Sequence, residues 1–303
     1  MSKLKVARIA SIKTTEEFRR LIHEVGVDLH VAELPEPGAS ALAKPATVAG
    51  KTVGNRWAIQ PMEGWDGTTT GGVTDTMLRR WQRFGYSGAK LIWGGEAMAV
   101  RPDGRANPNQ LIINEENKAG IARLRETLAQ AHRERYGTAD DLVIGFQLTH
   151  SGRFCRPNEK TRWESLVAYR HPILDKKFKV ISDEQVLTDD QLQVLIEDYV
   201  KAARVARDVG ADFVDVKHCH GYLLHEFLGA YTRPGRYGGS FENRTRLTRE
   251  IITRIREEVP GLEIGVRLSA FDLIPYRPDP ALSKPGELGP GIPEEYPQGE
   301  KYP

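Results

Sequence analysis

The chain has 303 residues, with 43 Lys plus Arg against 41 Asp plus Glu, a formal net charge of +2, 40% hydrophobic and 28% charged residues. This balance lacks the basic excess of a nucleic-acid binder, and the composition is that of a globular chain. The two cysteines, Cys155 and Cys219, exclude a disulfide framework or a four-cysteine metal site and fit a reducing cytoplasm, while no run of about eighteen apolar residues could span a membrane and the N-terminus lacks the apolar stretch of a signal peptide.

Residues 1–50 read as an N-terminal extension. Thr14-Thr15-Glu16-Glu17 forms a capping-box pattern, and Phe18, Leu21, Ile22 and Val25 give a short amphipathic helix, ended by Pro35, Pro37 and Gly38. Strands and helices then alternate. Trp57-Ala58-Ile59-Gln60 is a short strand stopped by Pro61. Residues 74–84 are helical with Leu78 and Trp81 inward, and residues 89–93 form a strand closed by Gly94-Gly95. A long helix over 115–135 carries Ile121, Leu124, Leu128 and Ala131 on one stripe, followed by a buried strand over 142–148.

Residues 149–187 read as a surface insertion, long enough for a lid or a substrate wall. Thr188-Asp189-Asp190-Gln191 opens a helix through Ala206 with a second capping box. A strand over 213–217, a helix from about Ser240 to Val259 and a strand over 262–268 complete the series. Five strand–helix alternations with continuous apolar strands indicate a parallel sheet covered by helices. Periodicity alone leaves a doubly wound sheet and a barrel both open. The tail, 273–303, is expected to be irregular, since 8 of the 18 prolines fall within residues 271–303.

No GxGxxG follows a strand and no P-loop is present, which argues against a Rossmann nucleotide site. The densest chemistry is Asp215-Val216-Lys217-His218-Cys219-His220-Gly221-Tyr222-Leu223-Leu224-His225-Glu226, where a strand ends. His218 and His225 read first as packing or surface histidines. Lys217 ends an apolar strand and needs a partner or a cavity. Tyr222 follows a glycine able to turn its hydroxyl into a pocket. His218-x-His220 also admits a metal-dependent hydrolase, since two histidines at i and i+2 share a strand face. Gln147 and Arg267 each end a buried strand. Taken alone, they suit main-chain satisfaction and a salt bridge.

Five segments together resemble the Old Yellow Enzyme family of FMN-dependent reductases. They are Asn55-Arg56-Trp57-Ala58-Ile59-Gln60-Pro61-Met62, Glu96-Ala97-x-Ala99-Val100-x-Pro102-x-Gly104-Arg105, Gln147-Leu148-Thr149-His150-Ser151-Gly152-Arg153, His220-Gly221-Tyr222-Leu223-Leu224 with Tyr237-Gly238-Gly239-Ser240-x-Glu242-Asn243-Arg244, and Gly265-Val266-Arg267-Leu268-Ser269. The resemblance implies an α/β fold of the (β/α)₈ TIM-barrel type, incomplete here, with about five strand–helix units over residues 51–272 and strands six to eight missing. It implies FMN over the strand ends, with main chain at Gln60, Pro61, Met62 and Ala97 against the ring. Gln147 would bond the pyrimidine edge, and Arg267 would lie where negative charge gathers in the reduced flavin. NADH or NADPH would reduce the flavin, and a small molecule with an activated alkene or carbonyl would then replace it in ping-pong order. Lys217 and His220 would hold a substrate oxygen, and Tyr222, with an ordinary pKa of about 10, would give the proton.

The chain departs from the family pattern in three places. Lys217 and His220 stand where the family commonly has two histidines or a histidine and an asparagine. Glu63 occupies the flavin-tuning position, where an ionised carboxylate facing the ring should lower its potential. Loss of the last strands would remove the phosphate site, so residues 1–303 alone should bind FMN poorly. It would also leave open sheet edges through which copies of the chain, or an inactive fragment and a partner, could pair.

Overall fold

The computed structural model describes residues 8–33, 35–36, 38–272, 275–284 and 289–295. The chain divides into two compact units, residues 1–44 and 45–303. In the first, Thr15–Val25 forms α1. The Thr14 hydroxyl accepts from the Glu17 amide and the Glu17 carboxylate accepts from the Thr14 amide, so the capping box is present in full. Gly26, left-handed at φ 73°, ends the helix. Of the predicted breakers, Pro37 lies outside the described residues.

The second unit opens with a hairpin, β1 (Ala46–Val48) and β2 (Lys51–Val53), which straddles position 50, where the sequence places the end of the extension. Ala49 and Gly50 are both left-handed, the twist that a two-residue hairpin turn requires. The main sheet follows. Its strands are β3 (Ala58–Ile59), β4 (Leu91–Ala99), β5 (Val143–Thr149), β6 (Phe213–His218) and β7 (Glu263–Leu268), parallel throughout and paired in sequence order. The five parallel strands of the sequence reading are therefore present. Between them run α2 (Asp75–Tyr86), α3 (Lys118–Tyr136), α4 (Leu174–Phe178), α5 (Asp189–Asp208), α6 (Leu223–Leu228) and α7 (Phe241–Glu258).

The outward faces of the strands supply the large core. Ile92, Ile144, Phe146, Leu148, Val214 and Val216 pack with Trp81 of α2, Leu124 and Leu128 of α3, Tyr199 of α5 and Ile251 of α7, all buried. Each such side chain contributes roughly 1.5–3 kcal/mol by leaving water. Helices α2 and α3 meet at Gly85, where a Cβ would fall 2.3 Å from the Leu128 carbonyl oxygen, so no larger residue allows this approach. On the inward face, Val53 of the hairpin packs with Val143 and Phe213, the first residues of β5 and β6, and closes the N-terminal end of the sheet.

Three expectations are corrected. Strand β4 does not stop at Gly94-Gly95 but runs on to Ala99. The two glycines, at φ 127° and 56°, carry it through a register shift between Trp93 and Ala97. The excursion over 149–187 is not a surface feature throughout. Arg153 is 1% exposed, held by Glu226 at 2.5 Å and by Asp175, and Cys155, Val167 and Ala168 are buried beside it. Two of the charges that suggest solvent, Arg153 and Asp175, are paired inside the fold, while Glu159, Lys160, Arg162 and Asp183 are exposed as expected. The tail is not wholly irregular, because Tyr276–Pro278 (β8) and Gly291–Pro293 (β9) pair antiparallel; residues 273–274, 285–288 and 296–303 of that segment lie outside the described residues. At the sheet edge, β7 leaves Leu268 60% exposed.

Candidate active site

Strand register sets out the inward-facing side chains in layers above the hydrophobic floor. Ala97 pairs with Gln147, Gln147 with Asp215, and Lys217 with Arg267. Residues two apart on a strand share a face, so Asp215 and Lys217 point the same way, Lys217 nearer the C-terminal rim. Gln147 Nε2 donates to Asp215 Oδ2 at 2.6 Å. The Asp215 carboxyl stands above the usual carboxylate range because burial disfavours its charge. The side-chain oxygen of Gln147 keeps no protein partner among the described residues, and Arg267 makes no salt bridge among them, although its amide and its charge are both felt at the Asp215 carboxyl.

The loop after β3 supplies the next group. Its position is fixed from β4 by two main-chain bonds: Ala97 N donates to Met62 O at 3.0 Å, and Gly64 N donates to Glu96 Oε1 at 2.9 Å. Glu96 is fully buried and also accepts from Arg80 at 2.6 Å, and Arg80 in turn holds Asp66. Burial pushes the Glu96 carboxyl up to about 7, with Arg80 and Gly64 pulling against it. Glu63 hangs between these two anchor points.

Glu63 is the junction of the site. Lys217 Nζ donates to its Oε1 at 2.7 Å, Tyr222 Oη donates to its Oε2 at 2.8 Å, and the Trp65 indole N–H reaches the same Oε2 at 3.3 Å. The Lys217 ammonium also lies 3.6 Å from the centre of the Tyr222 ring, within cation–π range. Glu63 is thus turned into the site, not away from it. A counter-ion neutralises it, which removes the reason to expect a bare negative charge facing a flavin.

The remaining sequence candidates separate. Tyr222 does not keep an ordinary pKa: burial, then the Glu63 charge and hydrogen bond, hold its phenol well above the usual tyrosine range. His220 is not drawn to Lys217. It is exposed, left-handed at φ 63°, and its amide donates to Ser269 Oγ at 3.3 Å. Burial, Lys217 and Arg267 lower its pKa, which favours the neutral ring. Strand β6 ends at His218, so His218 and His220 do not share a strand face. Among the described residues, no group of three His, Cys, Asp or Glu is placed to hold a metal. Ala97 donates its amide N–H to the Met62 carbonyl and accepts from Gln110 at 3.0 Å, so it anchors Met62 and keeps one carbonyl lone pair for a further contact. Gln60 and Met62 are exposed and Pro61 half-buried at the rim.

Sequence reasoning missed Arg80 and Trp65, and quoted Glu96 and Asp215 within motifs without giving either a role; the signal for Asp215 was an acid in the middle of an otherwise apolar strand beside Lys217. Residues 41–279 match the profile of the NADH:flavin oxidoreductase / NADH oxidase family. The chain belongs to that family. An NADPH dehydrogenase of Geobacillus sp. is 30% identical over 77% of this chain and 64% of its own length. An NADH:flavin oxidoreductase of Gibberella zeae is 29% identical over 79% of this chain and 59% of its own. Among solved structures, Old Yellow Enzyme from Pichia sp. AKU4542 superposes with a TM-score of 0.62 at 26% identity, covering 76% of this chain and 60% of that one. Morphinone reductase, at 22% identity and a TM-score of 0.60, shares the fold. The family and fold expected from the five motifs are confirmed. The chain spans roughly three fifths of the length of these relatives.

Proposed function

We propose that the protein is an FMN-dependent NAD(P)H oxidoreductase that reduces an activated C=C bond, with NADH or NADPH as donor. The observation that carries this reading is the convergence of Lys217 and Tyr222 on Glu63, at the same strand ends as the Gln147–Asp215 pair and Arg267. The residues suit an isoalloxazine ring: an amide carbonyl left open at Gln147, a cation at Arg267 that makes no salt bridge among the described residues, and the rim backbone of Gln60, Pro61 and Met62. Bound there, FMN supplies hydride acceptance from the nicotinamide and hydride delivery to the substrate.

The protein's own groups do the rest. Lys217 has three N–H donors and gives one to Glu63, which leaves two to polarise a substrate oxygen, with His220 as the second contact from the rim. Tyr222 is protonated at neutral pH, as any ordinary phenol is, and burial, then the Glu63 charge, hold it further from ionising. It delivers that proton to the substrate α carbon once its hydroxyl leaves Glu63. The pairing of Lys217 with Glu63 makes this clamp neutral overall, which suits a carbonyl oxygen.

The test is a stopped-flow comparison of the two half-reactions in Tyr222→Phe. Alkene reduction should slow by roughly 10²–10⁴-fold, the range for loss of a general acid. Flavin reduction by NAD(P)H needs no such proton and should keep its rate. Equal slowing of both half-reactions would remove Tyr222 from the role.

A further inference from the structure

The excursion over 149–187 brings a third cation, beyond Lys217 and Arg267, to the rim. Arg156 is half-buried, its Nε donating to the Ala106 carbonyl at 3.2 Å and its Nη1 to the Lys160 carbonyl at 3.0 Å. Its Nη2 has no protein partner, and no carboxylate pairs with it, among the described residues. Neighbouring arginines are engaged: Arg101 with Asp103, Arg153 with Glu226 and Asp175, Arg162 with Glu159 and Glu164, Arg170 with Asp175 and Asp183. Arg105, also without a carboxylate, is satisfied by the carbonyls of Thr69, Pro102, Pro108 and Pro157.

Two indoles hold Arg156 without neutralising it. Its guanidinium carbon lies 4.6 Å from the centre of the Trp163 ring and 5.6 Å from that of Trp65. Trp65 is left-handed at φ 50°, a conformation strained for a bulky residue that persists where the surroundings impose it. Its indole N–H reaches the Glu63 oxygen that also accepts from Tyr222. On the other side, Trp163 meets Phe178 at 5.0 Å, Phe178 meets Phe154 at 4.7 Å, and Phe154 meets Tyr222 at 5.4 Å. The contacts close a ring of flat side chains that starts and ends at Glu63 and holds one cation without a salt bridge among the described residues. The Arg156 charge is also felt at Tyr222, where it opposes Glu63.

We propose that Arg156, between Trp65 and Trp163, is an anion-recognising subsite, and that the molecule it selects is a flat unsaturated compound bearing a carboxylate. Its use in turnover rests on the reductase reading above; the binding itself does not. Lys217 cannot supply this selectivity, because Glu63 already balances it, whereas Arg156 offers an unshared N–H and a net charge. Trp65 is 41% exposed, which leaves indole surface beside the guanidinium open to a planar ligand.

The probes are trans-cinnamate and methyl cinnamate, alike in ring and alkene and different in charge. Binding is measured by calorimetry on the protein with FMN added, and flavin occupancy is read separately by absorbance. Cinnamate should bind about 10- to 100-fold more tightly than the ester, the scale of one or two charge-assisted hydrogen bonds. Arg156→Gln should abolish the preference and leave the ester's affinity unchanged, and Arg156→Lys should keep part of it. A wild-type protein that binds both equally, or binds neither, overturns the proposal, as does an Arg156→Gln protein that still prefers cinnamate. Should Arg156→Gln fail to fold, the wild-type comparison and Arg156→Lys decide. A flavin-free protein that discriminates supports the subsite and refutes the reductase; a flavin-loaded, reducible protein that does not discriminate refutes the subsite alone.

Discussion

Replacing Glu63 by Gln tests the junction on which the site is built. The Glu63 and Lys217 side chains are only 9% and 5% exposed. Removing the carboxylate charge leaves the Lys217 ammonium buried without a counter-ion. Breaking a buried pair from one side costs about 3–5 kcal/mol, far above the 0–1 kcal/mol of a surface pair. Gln keeps an oxygen that can accept from Lys217 or Tyr222 but cannot serve Lys217, Tyr222 and Trp65 together. The expected loss is therefore near the lower end, about 3 kcal/mol, or more than a hundredfold in the folded-to-unfolded ratio. Urea denaturation at neutral pH gives the value. Glu63→Gln combined with Lys217→Met should recover most of it, because a pair replaced on both sides by uncharged groups is close to neutral. Tyrosinate absorbance should show Tyr222 ionising at lower pH in Glu63→Gln, with the opposing charge gone. A cost below about 1 kcal/mol, or a double mutant as costly as the sum of the singles, would refute a buried, coupled junction.

Three further outcomes follow from the packing around the site. Glu96 in the folded protein has a pKa of about 7 against an ordinary 4.5, so the folded state binds the proton more tightly and stability should fall as pH rises through that window. Glu96→Gln imitates the protonated form; the denaturation midpoints of the two proteins should coincide near pH 4.5 and separate progressively to about pH 7. Burial lowers His171 and His218 to about 4 from 6.5, so their contribution is full above about pH 6.5 and is lost as pH falls towards 4; midpoints measured in the Glu96→Gln background should drop over that range. Gly145→Ala would place a Cβ 2.3 Å from the Phe213 ring and should cost about 1–3 kcal/mol by overpacking, read from thermal or urea unfolding.

The parts of the fold legible in the sequence are those set by local chemistry. Thr14 with Glu17, Thr188 with Gln191, and Ser240 mark helix starts because a cap and its partner lie within one turn. The continuous apolar runs of β5 and β6 declare strands buried on both faces. Strand β4 was foreshortened because Gly94 and Gly95 look like a terminator while acting as a bulge. Helix α6 is only six residues long, too short to show a stripe. The excursion misleads because composition cannot show that Arg153, Asp175 and Glu226 satisfy one another in the interior.

The same limit applies to the site. Motif resemblance picks out Lys217, Tyr222 and Glu63 one at a time. Their meeting joins residues 154 and 159 positions apart, which only the ordering of β3 through β7 can bring about. The metal alternative depended on His218 and His220 sharing a strand, and the strand stops one turn too early.

Anaerobic titration of the protein with FMN, then with NADPH and finally with a conjugated enone, bears most directly on the claim that this rim is a flavin site. The predicted result is a flavin held weakly through its ring, as five strands among the described residues, without the later ones that carry the phosphate site, imply. With protein in excess over FMN, its absorbance bleaches on addition of NADPH or NADH and returns with the enone, and binding is weakened further in Gln147→Ala. A protein that binds no FMN, or holds a flavin inert to both nicotinamides, would contradict it.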